Sequence, residues 1–503
     1  MIESKLVAAC IFPRLDLDKY LNDSNYSKQI HEFVDLGIGG FCVFGKLGLK
    51  EVKGALSTIQ NLSENFLLFS ADLEYGLPMR FLEGTAFPHA MALGNTKDIT
   101  KTFISSQLIA KEAKSVGIHW NFAPVADINS NPKNPIINIR SFGENDEVVS
   151  NHVAAYIKGH KEENIINCAK HFPGHGDTQL DSHLTLPTIS KSKQELENFE
   201  IKPFEKAIKN DVDSIMLGHL VVPSLDEKNI PASLSKVVID YLKNELGFKG
   251  IVISDALDMK AISGEYGSSD ACEMAFRAGN HIALMPEKPL EAISNLSDLI
   301  SKDNDFKSII LENIKKINGL KKRVSTNSSD LGLEDKFIQH EKIALSIAQS
   351  ALELNVKKMI IPIEENKQIA AFAILQNEND FGQASMFYNL LSSALENNMD
   401  FGFIDENLKD EDLKGMIEGT KEADIFIFVF FFKSRAWQSE IGVSNKISSI
   451  IHKLTMGKDV INIFAGNPYL ENSFESDISI KTFSDSLASL ASSVLALSGR
   501  KLD

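Results

Sequence analysis

Long apolar runs are missing from this 503-residue sequence, and none approaches the roughly 18 residues that a membrane-spanning helix needs. An excess of positive charge is missing too: 52 Lys+Arg against 68 Asp+Glu leave a formal net charge of -16. Such a surface repels phosphate backbones and anionic lipid, so neither nucleic acid nor a membrane is expected as a partner. Cysteine is scarce. Cys10, Cys42, Cys168 and Cys272 sit in apolar surroundings with no CxxC pair, which excludes a disulfide framework and a zinc or redox motif. They read as buried thiols of a reducing compartment. Near the N-terminus the apolar run 6–12 is short, preceded by Glu3 and Lys5 and followed by Arg14, so no signal peptide is expected and the chain reads as cytoplasmic.

What is present is the composition of an ordinary globular protein, 43% hydrophobic and 24% charged, on a chain longer than one core usually serves. Two domains are expected. Residues 1–323 alternate strand candidates (6–12, 39–45, 66–72, 119–127, 166–172, 214–220, 250–256 and 281–286) with amphipathic stretches such as 99–116, 147–163, 193–209 and 236–246. Buried strands joined by helices require a parallel sheet, and eight such units predict a (β/α)8 TIM-type barrel. A linker over 324–333, rich in Ser, Asn, Asp and Gly, leads to a second domain over 334–503. Strand candidates at 358–363, 369–375, 424–432 and 459–465 predict a smaller α/β sandwich there, without a Gly-rich phosphate loop.

A barrel enzyme carries its chemistry on the loops that follow its strands. Polar residues lie at those places: Asp72, Asp127, Lys170 with His171, His219 and Asp255. The segment 170–183, KHFPGHGDTQLDSH, holds three His, two Asp and one Lys around Pro173, Gly174 and Gly176, a composition suited to a tight loop around a ligand. Within it Asp181 and His183 form an Asp-x-His arrangement, in which a carboxylate orients an imidazole that carries protons near neutral pH. A rival reading makes His171, His175, Asp177, Asp181 and His183 metal ligands. The partner of the dyad is Asp255, with Asp258 in the same loop as its competitor.

Taken together, KHFPGHGDTQLDSH, ADLEYGLPMRF from Ala71, NFAPVAD from Asn121, INIRSFGE from Ile137 and VISDALDMKAI from Val252 resemble glycoside hydrolase family 3, in its β-N-acetylglucosaminidase branch. The resemblance implies a retaining β-N-acetylhexosaminidase acting on a terminal N-acetylglucosamine of a glycan or muropeptide, with no cofactor and no metal. It implies Asp255 as nucleophile, His183 oriented by Asp181 as acid/base, and Asp72, Arg80, Arg140, Lys170 and His171 as sugar ligands. His175 and Asp177 are left to shape the loop. Two positions depart from the family pattern: Asp72 to Gly76 reads Asp-Leu-Glu-Tyr-Gly, and Ala256 stands where the branch often has a second aspartate.

A neutral base does not repel an anionic acceptor, so a phosphorylase remains open beside hydrolysis. A β-glucosidase of the same family would need a glutamate from the second domain, for instance Glu440. An inactive sugar-binding protein would show gaps among the catalytic positions, and none is missing.

Overall fold

The computed structural model describes residues 2–178, 186–325, 337–358, 361–434, 442–455 and 457–499. Among the described residues nine strands precede residue 300: β1 (Ile11–Phe12), β2 (Arg14–Asp16), β3 (Gly40–Phe44), β4 (Leu68–Ala71), β5 (Trp120–Asn121), β6 (Cys168–Phe172), β7 (Ser214–Leu217), β8 (Ile251–Ser254) and β9 (Ala283–Leu284). All their pairings are parallel. Ladders run β2-β3-β4-β5 and β6-β7-β8, and β1 pairs with β9. Isolated parallel bridges join Trp120 to Ile166, Val125 to Lys170 and Ile253 to Ile282. Strands therefore neighbour one another in chain order, and the last returns to the first.

The inward sides of these strands are apolar and aromatic. Phe12 meets Trp120 edge to face at 6.1 Å, and Phe41 stacks on Phe69 at 6.3 Å. Burial of such rings is the main stabilising term here, on the order of 2–3 kcal/mol for each large side chain removed from water. Helices cover the outside. Ile99–Ser115 and Asp146–Glu162 lie side by side and run parallel, Thr102 meeting His152 and Ser106 meeting His160, and their one-sided burial follows the helical period; their N-caps, Asp98 and Asn145, accept backbone N–H bonds.

Three expectations are corrected at this level. Residues 6–8 are the end of a helix, Ile2–Ala8, so the first predicted strand shrinks to β1; a short apolar run carries no period that tells helix from strand. The fourth, 119–127, ladders only at Trp120–Asn121, because Pro124 has no N–H to donate. The helix over 193–209 is two, Lys193–Asn198 and Lys202–Lys209, divided where Phe199 leaves the helical region ahead of Pro203.

The second sheet has the order β10-β15-β14-β13-β11-β12, from β10 (Glu353–Val356), β11 (Ile369–Leu375), β12 (Met399–Ile404), β13 (Ile425–Phe431), β14 (Asp459–Phe464) and β15 (Ile478–Lys481). All its pairs are parallel except β10 with β15. Alternation splits its central strands between two cores: Ile425, Ile427, Val429 and Phe431 face one, and Phe426, Phe428 and Phe430 the other. The strand expected at 358–363 is displaced to β10, and 359–360 lie outside the described residues. β12 and β15 went unpredicted because Asp400, Gly402, Ser479 and Lys481 break their apolar pattern. Of the expected linker, 326–333 lie outside the described residues, and Val324 is the buried last residue of the helix Asn304–Val324. Among the described residues no helix is long and apolar enough to cross a membrane.

Candidate active site

The ends of β2, β4, β6 and β8 open on one cleft of about 440 Å³. Asp72, Arg80, Arg140, Lys170, His171 and Asp255 all line it, so six residues scattered over some two hundred positions of sequence come together. Asp181 and His183 lie outside the described residues, as does Glu440.

Asp72 follows the last residue of β4, and the turn that carries it is clamped from beneath. Asn121, on β5, accepts the Leu73 N–H with Oδ1 at 2.9 Å and donates Nδ2 to the Leu73 carbonyl at 3.2 Å. The same Nδ2 donates to His160 Nε2 at 2.9 Å. Burial lowers the His160 pKa to about 3, so its ring is neutral and can accept this bond.

Around the clamped turn the charged groups form one network. Lys170 Nζ lies 2.7 Å from Asp72 Oδ1 and 2.9 Å from Glu74 Oε1, with its side chain only 2% exposed. Arg80 Nη2 reaches Asp72 Oδ2 at 2.6 Å. Arg140 donates to Glu74 through both Nε, at 3.0 Å, and Nη2, at 2.8 Å, the bidentate geometry that fixes a guanidinium plane. Burial alone would raise the two carboxyl pKa values, but the cations outweigh it: Lys170 and Arg80 hold Asp72 well below the usual range, and Arg140 and Lys170 do the same for Glu74. Three cations thus face two carboxylates, and the set is rigid, charged and directed at the cleft.

The loop after β6 is organised by Asp127. Its wholly buried carboxylate accepts the His175 N–H at 2.7 Å and the His171 N–H at 3.1 Å, and lies 2.7 Å from His171 Nδ1. With Nδ1 engaged, the His171 ring has Nε2 left for a ligand. His175 also lines the cleft; its Nδ1 lies 2.8 Å from Thr178 Oγ1, and burial lowers its pKa to about 4. Asp177 points elsewhere and pairs with Lys191 at 3.2 Å. Gly176 is obligatory, since a Cβ there would sit 1.5 Å from the Ile128 carbonyl oxygen.

Asp255 directly follows β8. Its Oδ1 accepts the Ala256 N–H at 2.8 Å, and its own N–H donates to the Leu217 carbonyl at 2.9 Å. Asp258 lines the same cleft. Two strand-end residues do not belong to the lining: Asp127 builds the loop described above, and buried His219 bridges Ser233 Oγ, at 2.7 Å, and the Ala256 carbonyl, at 2.9 Å. Neither is placed to hold a sugar, although both sit where strand-end polarity pointed.

Sequence reasoning missed four kinds of lining residue. Glu74 was in view within the Asp-x-Glu motif but carried no role, and Arg14 passed for a flanking charge. Met79, Met216, Met259 and Met285 supply an apolar wall that no periodicity announces, and Ser434 comes from the far end of β13 in the second sheet. Among the described residues no group of three His, Cys, Asp or Glu is disposed to hold a metal ion.

A half-polar cleft with convergent carboxylates, guanidinium groups and an ammonium, set at the carboxyl ends of parallel strands, is the site of a carbohydrate-active enzyme. Residues 24–320 match the model of the glycosyl hydrolase family 3 N-terminal domain, and the chain belongs to that family of glycoside hydrolases. Beta-hexosaminidase A of Pseudoalteromonas piscicida is 30% identical over 368 residues, 67% of this chain but only 61% of that protein's length. A Beta-hexosaminidase of Neisseria meningitidis serogroup B is 32% identical over 273 residues, covering 52% of this chain and 75% of that one. In structure, the family 3 β-N-acetylglucosaminidase of Paenibacillus sp. str. FPU-7 superposes with a TM-score of 0.85 at 24% identity, over 99% of this chain and 96% of the other. Beta-glucoside phosphorylase BglX bound to 2FGlc gives 0.86 at 22% identity, over 99% and 92%. At these identities the likeness is one of fold.

Proposed function

We propose that this chain is a retaining exo-β-N-acetylhexosaminidase that removes terminal β-linked N-acetylglucosamine through a glycosyl-enzyme intermediate on Asp255. The observation that carries this reading is the convergence of Asp255 with Asp72, Arg80, Arg140, Lys170 and His171 on one cleft. The circuit of parallel strands is taken as a (β/α)8 barrel over residues 1–323, joined by a linker over 324–333 to an α/β sandwich over 334–503.

In the first step an Asp255 carboxylate oxygen bonds to the anomeric carbon while the glycosidic bond breaks, and the departing oxygen takes a proton from the His183 imidazolium. Asp181 orients that ring. In the second step a water oxygen bonds to the anomeric carbon, its proton passes to His183, and the bond to Asp255 breaks. Sugar hydroxyls are held by the Asp72, Arg80 and Lys170 group on one side and by Arg140 and His171 on the other. The ion pairs among these side chains are made before any ligand arrives, so little ordering remains to be done on binding. Ser434 makes the second sheet a border of the cleft.

A glycan or a muropeptide in a reducing, cytoplasmic setting completes the proposal, as four buried thiols without a disulfide favour such a compartment. The test compares chromogenic β-N-acetylglucosaminide with β-glucoside, with and without inorganic phosphate. Preference for the N-acetylated substrate, with free sugar as product, is expected. A faster glucoside, or sugar 1-phosphate as the product, would overturn the specificity or the acceptor.

A further inference from the structure

Glu74 and Arg140 pair in the cleft wall, and each has a neighbour in sequence that packs toward one segment of the second sheet, 483–485. On the Glu74 side that neighbour is Tyr75. Its carbonyl accepts the Phe87 N–H at 2.9 Å, and its ring lies against the His89 ring with centroids 4.3 Å apart. His89 Nδ1 in turn lies 2.8 Å from Ser484 Oγ and 3.9 Å from Asp485 Oδ1, and His89, Ser484 and Asp485 are all buried. Burial lowers the His89 pKa to about 4, so at neutral pH the contact joins two uncharged rings. On the Arg140 side the neighbour is Ile139, which shares a small apolar cluster with Met91, Ala92, Ala351 and Phe483.

The segment that receives both neighbours is itself firmly held. The Thr482 hydroxyl donates to the Ser484 carbonyl at 2.7 Å, and Asp485 Oδ2 lies 2.6 Å from Lys433 Nζ. Lys433 precedes Ser434 of the cleft lining, and its N–H donates to Gln376 Oε1 at 3.2 Å. Phe483 has φ 54°, a backbone region that a large L-residue occupies only where its surroundings impose it. The loops after β11, β13 and β15 are thereby knit together, and they meet the turn after β4 through His89. Asn121 clamps that turn at Leu73, one residue before Glu74. Tyr75 fastens it one residue after. A carboxylate bracketed in this way loses its freedom to swing, and the guanidinium and ammonium paired with it keep their direction toward the cleft. Tyr75 is also one of the two places where the sequence departs from the family pattern, so the fastening belongs to this chain.

We propose that Tyr75 is a positioning residue of the sugar site: packed on His89, which Ser484 anchors, it sets the place of Glu74 and so of Arg140 and Lys170, and makes substrate binding depend on the second sheet. The inference rests on the reading that these side chains hold the sugar.

The experiment measures steady-state kinetics of the full chain on whichever chromogenic β-glycoside, N-acetylglucosaminide or glucoside, the parent turns over faster. The variants are Tyr75→Ala, Tyr75→Phe, Ser484→Ala and the double variant Tyr75→Ala/Ser484→Ala. Tyr75→Ala is expected to raise KM by about tenfold or more with kcat within about threefold, and Tyr75→Phe, which keeps the ring, to stay within about twofold of the parent in both. Ser484→Ala removes one hydroxyl outside the cleft lining. It is expected to raise KM about threefold in the parent and to add nothing in the Tyr75→Ala background, as two members of one line of contacts should. A parent-like KM in Tyr75→Ala or in Ser484→Ala, a fall in kcat with KM unchanged, or additive effects in the double variant would overturn the proposal. Where Tyr75→Ala does not fold, the KM of Ser484→Ala against the parent decides. Absence of turnover on both glycosides in the parent would instead sink the reading of the cleft itself.

Discussion

Glu74 holds Arg140 by two hydrogen bonds, at 3.0 and 2.8 Å, and shares its Oε1 with the Lys170 ammonium 2.9 Å away. This carboxylate is the keystone of the cleft-lining cations, because without it Arg140 loses its ion pair and Lys170 is left with Asp72 alone. Lys170 is buried and Arg140 partly so, and removing the partner of a buried charge costs up to about 3–5 kcal/mol. Glu74→Ala is expected to lower stability by that amount in urea unfolding, and Glu74→Gln by less, since an amide oxygen still accepts one bond. In both, KM should rise more than kcat falls. Parent-like unfolding midpoints in both variants would show that the network contributes nothing to the fold.

Asp255 and Asp258 compete for the same bond-forming role, and the cleft contains both. The nucleophile should be the one that follows the strand directly, with its backbone tied to Leu217 and Ala256. Asp255→Ala is expected to lose kcat by a factor of about a thousand or more, while Asp258→Ala stays within about tenfold. Mass spectrometry of the parent, quenched during turnover of a slow fluorinated substrate, should find the added sugar on the peptide containing Asp255. An adduct on the Asp258 side of that peptide would reverse the assignment.

How much of this was legible beforehand varies with the physics involved. Central strands such as β11 and β13 show plainly, because burial on both faces demands an unbroken apolar run. Edge strands β10 and β12 do not, since their exposure admits residues such as Asp400, and neither does β15, a four-residue strand between β10 and β14 that ends on the half-buried Lys481. In the cleft, Asp72, Lys170 and Asp255 could be read off because polar residues at the ends of buried strands have few structural reasons to be there. The same signal misled at Asp127 and His219, whose bonds to backbone and neighbouring side chains build the loops instead. Glu74 was invisible as a functional group because pairing in space has no sequence pattern. Asp181 and His183, the expected proton carriers, fall outside the described residues.

Acid should loosen the cleft before it titrates any carboxylate there. Burial lowers the pKa of His160 to about 3 and those of His175 and His89 to about 4. An imidazole with a folded-state pKa below its unfolded value of about 6.5 favours unfolding once the unfolded chain takes up its proton. Stability is therefore full above pH ~6.5 and falls as pH drops toward 4, by up to about 1.4 kcal/mol per pH unit for each such ring. Asp72 and Glu74, with depressed pKa values, add their loss only below about pH 4. Thermal melts between pH 8 and 4 should show this decline, and His160→Gln should flatten it while lowering the plateau. A stability flat from pH 7 to 4 would contradict these assignments.

Gly176 lies in the loop that follows β6, and its lack of a side chain has a single physical cause. The backbone there passes so close to Ile128 that a Cβ would lie 1.5 Å from its carbonyl oxygen and 2.5 Å from its carbonyl carbon. Neither can move away freely. Ile128 immediately follows Asp127, whose carboxylate holds His171 and His175, and the Asn129 N–H donates to the Gly143 carbonyl at 2.9 Å. Gly176→Ala should thus displace the loop rather than Ile128, drawing His175 off Asp127 and loosening the His171 ring with it. The expected result is a folded protein, destabilised by about 1–3 kcal/mol, with kcat/KM reduced at least about a hundredfold. Gly54→Ala is the control: nothing lies within 4 Å of the added carbon, and the site is an exposed helix. It should match or slightly exceed the parent in stability, at unchanged activity. If Gly176→Ala keeps full activity and stability, the loop has slack, and the close approach does not set the position of His171.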